Sequence, residues 1–179
     1  MTCIAAMVRD GQVWVGGDSA AIGGWTLQLR NGQSKLLRIG DMLIGCTSSF
    51  RMVDLLRYRM AAPPAEIADL HRYLATDWID EVREVFAKGG FRKRENEVET
   101  GGSFLIGWRG RLFDIDSDFQ VGEPAARYGA CGSGIEVALG ALHVAADLEL
   151  EPEIAVRRAL QAAETHNIGV RGPFEVSRA

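Results

Sequence analysis

Three times in this chain a short turn signal separates two apolar runs of strand length. Asp10-Gly11 lies between residues 2–8 and 12–17, Gly40-Asp41 between 35–39 and 42–46, and Arg109-Gly110 between 103–108 and 111–115. A two-residue connection leaves no room for a crossover, so each pair must be antiparallel neighbours. A chain punctuated in this way is expected to fold around largely antiparallel sheet.

Helical segments fall between the strand pairs. One helix is expected to start at Ser48 or Ser49, either of which can serve as N-cap, and to end near Met60. Pro63-Pro64 stops it and introduces the next. There, Ile67, Leu70, Leu74, Trp78, Val82 and Val85 recur at spacings of three and four, which predicts one amphipathic helix ended by Gly89-Gly90. The polar stretch 91–101 reads as a mobile loop. A short strand at 127–130 leads into Gly132-Ser133-Gly134. Helices are expected over 135–148 and about 152–165, and 173–176 closes as an edge strand. Strands, two helices, strands, two helices and a last strand suggest sheet layers covered by helices. With 179 residues, 47% of them hydrophobic, and no repeat or linker, the reading is one domain over 1–179.

Composition removes several classes of function. The net charge is -4, and the one dense basic stretch, Arg92-Lys93-Arg94, is followed at once by Glu95, Glu97 and Glu99, so no nucleic-acid partner is expected. No run approaches the roughly 20 apolar residues that span a bilayer, and no signal peptide is visible, which points to the cytoplasm. Cys3, Cys46 and Cys131 are an odd number without close spacing and read as buried reduced thiols. His71, His143 and His166 lack ligand spacing, so neither a metal nor a cofactor is expected. Ser133 follows Cys131-Gly132 and so is not in a G-x-S-x-G elbow. The phosphate-binding and dinucleotide-binding glycine patterns are also absent.

The N-terminus remains. Thr2 follows Met1, and its small side chain favours removal of that methionine. The product would carry a hydroxyl and a free α-amine on one residue. An amine with a reference pKa of about 7.7–8.0 is a base poised near neutrality beside a weak nucleophile. Asp18 ends the return strand of the first hairpin, at the end of the sheet that holds Thr2, and Lys35 opens the next strand. A buried Lys35 would keep the amine neutral and stabilise a Thr2 alkoxide, with Asp18 compensating its charge. From spacing alone, a surface Asp and a surface Lys are an equal reading.

Met-Thr-x-Ile-x-Ala, then Val-x-Val-Gly-Gly-Asp-Ser-Ala, then a lysine after a short loop, resembles the proteasome β-subunit superfamily, and in length and leader the bacterial HslV-type peptidase. The likeness continues through Gly110-Arg-Leu-Phe-Asp-Ile-Asp116 and Gly132-Ser133-Gly134. Lys35 falls one residue later than the family's lysine, which implies a one-residue insertion within 23–34. The resemblance implies the α+β, four-layer αββα sandwich of N-terminal nucleophile hydrolases, acting as a threonine peptidase. Thr2, Asp18, Lys35 and Ser133 would be catalytic. Backbone N–H groups near Ser48 and Ser49 would bind the oxyanion, and Ala20, Cys46 and Ser49 would line the substrate pocket. It also implies a homo-oligomeric ring, unfolded polypeptide as substrate and an AAA+ ATPase as partner. Two features depart from the family. The oxyanion turn, Cys46-Thr47-Ser48-Ser49, lacks the usual glycine, so side chains are expected to crowd it. No Asp occurs in 153–179, where Asn167 is the nearest substitute. The alternatives are a non-catalytic shell subunit on this fold, or an amidohydrolase acting on a small amide.

Overall fold

A computed structural model of the chain describes residues 1–23, 26–29 and 33–179. The inferred insertion falls in a stretch that lies partly outside these residues. The chain runs β1 (Cys3–Arg9), β2 (Gln12–Gly17), β3 (Ala20–Gly23), β4 (Thr26–Leu29), β5 (Leu36–Ile39) and β6 (Met42–Cys46). It continues with α1 (Phe50–Arg59), α2 (Leu70–Tyr73), a π-helical turn (Leu74–Trp78), α3 (Ile79–Lys88), β7 (Lys93–Glu95) and β8 (Val98–Thr100). β9 (Phe104–Trp108), β10 (Arg111–Ile115), β11 (Val121–Gly122), β12 (Tyr128–Gly132), α4 (Ile135–Asp147), α5 (Pro152–His166) and β13 (Glu175–Arg178) complete it.

The three expected hairpins are β1–β2, β5–β6 and β9–β10, all antiparallel. Asp10 and Gly11 have φ of 49° and 68°, and Arg109 and Gly110 have 48° and 76°. Positive φ at both central residues is the turn geometry whose twist matches that of the flanking strands. The hairpins belong to two larger sheets, of order β12-β1-β2-β13 and β11-β10-β9-β6-β5. The expected edge strand forms at Glu175–Arg178, two residues later than the reading, and pairs with β2.

β1 shows why its sequence is apolar on both faces. Ile4 and Ala6 join a cluster with Val13, Val15, Leu36, Leu43, Leu105 and Leu112, drawn from both sheets. The alternate residues Cys3, Ala5 and Met7 face a second cluster with Ala138, Leu142, Val156, Leu160 and Ala163 of α4 and α5. A third cluster joins Ile44, Phe104, Ile106 and Phe113 of the other sheet to Met52, Leu56, Val82 and Phe86 of α1 and α3. At Gly45 an added Cβ would lie 2.5 Å from Ile4 Cγ2, so the β6 backbone and β1 meet with no room for a side chain.

Three segments differ from the sequence reading. The second helix starts at Leu70 behind Asp69, whose carboxylate caps the Arg72 N–H, so Ile67 stands before the helix. Leu70, Leu74, Trp78, Val82 and Phe86 are all buried and strictly four apart. On a regular helix such spacing drifts by about 160° over four steps, and the wider π turn at Leu74–Trp78 takes up part of that drift. Residues 91–101, read as a mobile loop, hold the β7–β8 hairpin, tied to α3 by Arg83–Glu99 at 2.9 Å. β3, β4 and β11 were not read from the sequence at all. Among the described residues no helix is long and apolar enough to cross a membrane.

Candidate active site

Thr2 immediately precedes β1 and is 6% exposed. Its backbone N–H donates to Ser133 Oγ at 3.2 Å, and its hydroxyl donates to the Met1 carbonyl at 2.5 Å. Ser133 lies just past β12, the neighbour of β1 in the sheet, and the Cys3↔Gly132 register brings it alongside Thr2. Gly132 makes this approach possible. Its φ is +97°, and a Cβ there would stand 2.3 Å from the Thr2 carbonyl oxygen.

Asp18 follows β2, and its carboxylate is fully engaged. Oδ1 accepts from the Cys3 N–H at 2.9 Å and from Lys35 Nζ at 2.8 Å. Oδ2 accepts from the Ala20 N–H at 3.0 Å and from the Arg171 N–H at 3.3 Å. Side-chain exposures of 5% for Lys35 and 0% for Asp18 exclude the surface reading of this pair. Burial pulls the Lys35 ammonium below its ordinary value, and the Asp18 carboxylate opposes that pull. A buried ion pair of this kind needs its remaining donors and lone pairs satisfied, which the backbone N–H groups supply for Asp18.

Thr2, Lys35, Ala20, Cys46, Ser48 and Ser49 line one small pocket of about 70 Å³, and Met1 forms part of its wall. Thr47, Ser48 and Ser49 of the turn that lacks glycine all line this pocket. Ser48 takes a φ of 59°, the left-handed conformation that glycine adopts most easily, and its Oγ accepts from the Ser103 N–H at 3.2 Å. Thr47 Oγ1 donates to Ser103 O at 2.7 Å, so both side chains are tied to the start of β9. The Ser49 N–H is already given to Thr47 O at 2.7 Å, whereas among the described residues no acceptor meets the Ser48 N–H. Of the two backbone donors, Ser48 is therefore the one free to take a ligand oxygen. Ser49 Oγ caps α1 by accepting from the Arg51 N–H at 3.1 Å.

Asn167, just after α5, touches Ser133 directly. Its Nδ2 donates to Ser133 O at 2.6 Å, and its Oδ1 lies 3.4 Å from Ser133 Oγ while accepting from the Gly169 N–H at 2.8 Å. Sequence reasoning had no signal for Ser103 or for the Arg171 N–H on Asp18, since both act through backbone groups. Cys3, Cys46 and Cys131 are buried, and burial pushes the Cys3 and Cys46 thiols up to about 12 and Cys131 well above its usual range. None of them is a ready nucleophile at neutral pH. Among the described residues no group of three or more His, Cys, Asp and Glu is arranged to hold a metal ion.

No family model matches the sequence, and no curated protein matches it. Solved structures do. BPH from Thiobacillus denitrificans superposes with a TM-score of 0.84 at 19% identity, over 99% of this chain and 97% of that one. It has also been solved in complex with epoxomicin, with a TM-score of 0.83. Eukaryotic HslV from Trypanosoma brucei gives 0.70 at 18% identity over 99% and 98%. Anbu, an ancestral β-subunit, from Yersinia bercovieri gives 0.69 at 18% over 99% and 81%. The chain thus has a proteasome-β or HslV-like fold, mixed in α and β.

Proposed function

We propose that this chain is a threonine-type endopeptidase subunit of a self-compartmentalised, proteasome-like complex, with Thr2 as its nucleophile once Met1 is removed. The observation that carries the reading is the convergence on Thr2. Its nitrogen lies 3.2 Å from Ser133 Oγ, and Lys35, paired with the buried Asp18, lines the same pocket.

With Met1 gone, the Thr2 nitrogen becomes an amine held by Ser133 and, through it, by Asn167. Thr2 Oγ1 attacks the substrate carbonyl, and its proton passes to the amine, directly or through one water. Lys35 stabilises the developing alkoxide, and the Ser48 N–H stabilises the oxyanion. The C–N bond breaks as the leaving amine takes the proton, leaving an ester on Thr2. Water then attacks that ester with the Thr2 amine again as base, and the acid product departs.

The clusters on both faces of the first sheet and on both faces of the second support a four-layer αββα sandwich, with residues 1–179 as one domain. A closed homo-oligomer in the cytoplasm, taking unfolded polypeptide from an AAA+ ATPase, completes the reading. Exposed apolar side chains at Val144, Leu148, Ile154 and Ile168 support self-association.

Intact-mass analysis of protein treated with a threonine-directed epoxyketone or β-lactone tests the assignment. Loss of Met1 and one covalent adduct are expected, with no adduct on Thr2→Ala. A chain that has lost Met1 yet takes no label would overturn the peptidase and point to the non-catalytic shell subunit. Labelling with turnover of small amides, but not of peptides, would point to the amidohydrolase.

A further inference from the structure

Two surface regions outside the catalytic pocket carry opposite charge, and each includes apolar side chains. The first is a pocket of about 330 Å³ between α1 and α3, lined by Arg51, Leu55, Arg59, Val85, Lys88 and Gly89. Arg51, Leu55 and Arg59 are four apart and so share one face of α1. The helices approach closely here, since a Cβ on Gly89 would meet Leu55 Cδ2 at 2.4 Å. Among the described residues the Arg51 guanidinium donates only to the Gly89 carbonyl, at 3.0 and 3.3 Å. Lys88 is paired with Glu84 at 3.1 Å. Arg51 and Arg59 have no carboxylate partner among the described residues, so the pocket keeps two uncompensated cations beside apolar surface.

The second region is the corner joining α4 to α5, with the sequence Asp147-Leu-Glu-Leu-Glu-Pro-Glu-Ile154. Leu148 and Ile154 are 66% and 51% exposed. Glu153 is paired with Arg157 at 3.3 Å, and Asp147 lies 3.7 Å from His143. Glu149 gives its carbonyl oxygen to Arg9, but its carboxylate and that of Glu151 have no cationic partner among the described residues. The corner thus keeps two uncompensated carboxylates beside two exposed aliphatic side chains.

We infer that the basic pocket between α1 and α3 receives the acidic α4–α5 corner of a second copy of this chain. The match is two free cations against two free carboxylates, with Leu148 or Ile154 meeting the Leu55 and Val85 surface. The chain's own corner cannot fill its own pocket. α1 and α3 pack on the β11-β10-β9-β6-β5 sheet, and α4 and α5 pack on the other sheet. A contact between two different patches is heterologous, so every copy keeps one patch free for the next, and assembly runs head to tail into a closed ring or an open stack. This contact is independent of the peptidase reading, since none of its residues lines the Thr2 pocket.

Sedimentation of the full chain tests it by charge reversal. Arg51→Glu/Arg59→Glu should weaken assembly at least about tenfold, as should Glu149→Arg/Glu151→Arg, and the four reversals in one chain should restore it. Wild-type assembly should also weaken between 50 and 500 mM salt, on the order of the Debye screening of exposed charges. Circular dichroism checks that each variant is folded. Should a reversal impair folding, Arg59→Cys/Glu149→Cys with a short bismaleimide supplies a second measurement. It should give a ladder of linked chains, and each single Cys variant at most a pair. Unchanged assembly in either pair of reversals, failure of the fourfold variant to recover, or no ladder would overturn the inference.

Discussion

Each proposed catalytic group is kept in place by its neighbours. Gly132 is the tightest case, because its φ and its contact with the Thr2 carbonyl oxygen both exclude a side chain. Gly132→Ala is expected to cost about 1–3 kcal/mol from backbone strain alone. Ser133 would shift with it, so thermal unfolding should move down and label uptake at Thr2 should fall together. Thr2 could be picked out from its place after Met1, Asp18 and Lys35 from the ends of hairpin strands, where spacing alone left a surface pair equally open, and Ser133 only through the resemblance. The rest of the site was hidden for physical reasons. Arg171 contributes a backbone N–H, which any residue offers. Ser103 acts through its main chain on the hydroxyls of Thr47 and Ser48. Asn167 was visible only as the nearest polar residue where a carboxylate was missing.

At the level of elements, legibility followed burial and turn chemistry. β1, β2, β6, β9 and β10 pack into clusters and are bounded by turn residues, so their limits could be read closely. β4 is exposed at all four positions, and β7 likewise at all three, so neither carries an apolar pattern to read. The β7–β8 turn uses Asn96 and Glu97 at φ of 49° and 68°. Asn tolerates that conformation, but Glu does not favour it, and a turn of this geometry prefers glycine at its second position. Glu97→Gly should therefore stabilise the hairpin by up to about 1 kcal/mol. The exposed Arg94–Glu97 pair that it removes is worth little by comparison. A urea midpoint that falls on this substitution would contradict the turn assignment.

At the level of the whole molecule, three buried thiols set the alkaline limit. Cys3 and Cys46 titrate at 9.0 in an unfolded chain and at about 12 when folded. The folded state thus holds protons that the unfolded state releases between those values. Their contribution is fully present below 9.0 and is lost as pH rises toward about 12. Cys131 acts in the same direction. Lys35 acts oppositely, because its folded value lies below 10.5, so stability from that residue rises with pH up to 10.5. Three thiols oppose one amine, and the unfolding free energy should decline above pH 9. Chemical denaturation at pH 8, 9 and 10 measures this, and a rise across that series would contradict the burial of the thiols. The same burial predicts that iodoacetamide leaves the native protein unmodified and modifies three thiols in urea.

The Asp18 carboxylate has a consequence in time as well as in space. Its four donors come from residues 3, 20, 35 and 171, and the segment that brings the last of them is further held where Ser19 donates to Arg171 O and to Pro173 O. A ribosome releases residues 3, 20 and 35 long before residue 171. Until residue 171 has emerged and docked, Oδ2 lacks one of its two partners. The proposed site therefore cannot have its full set of donors in a nascent chain that has not yet reached residue 171.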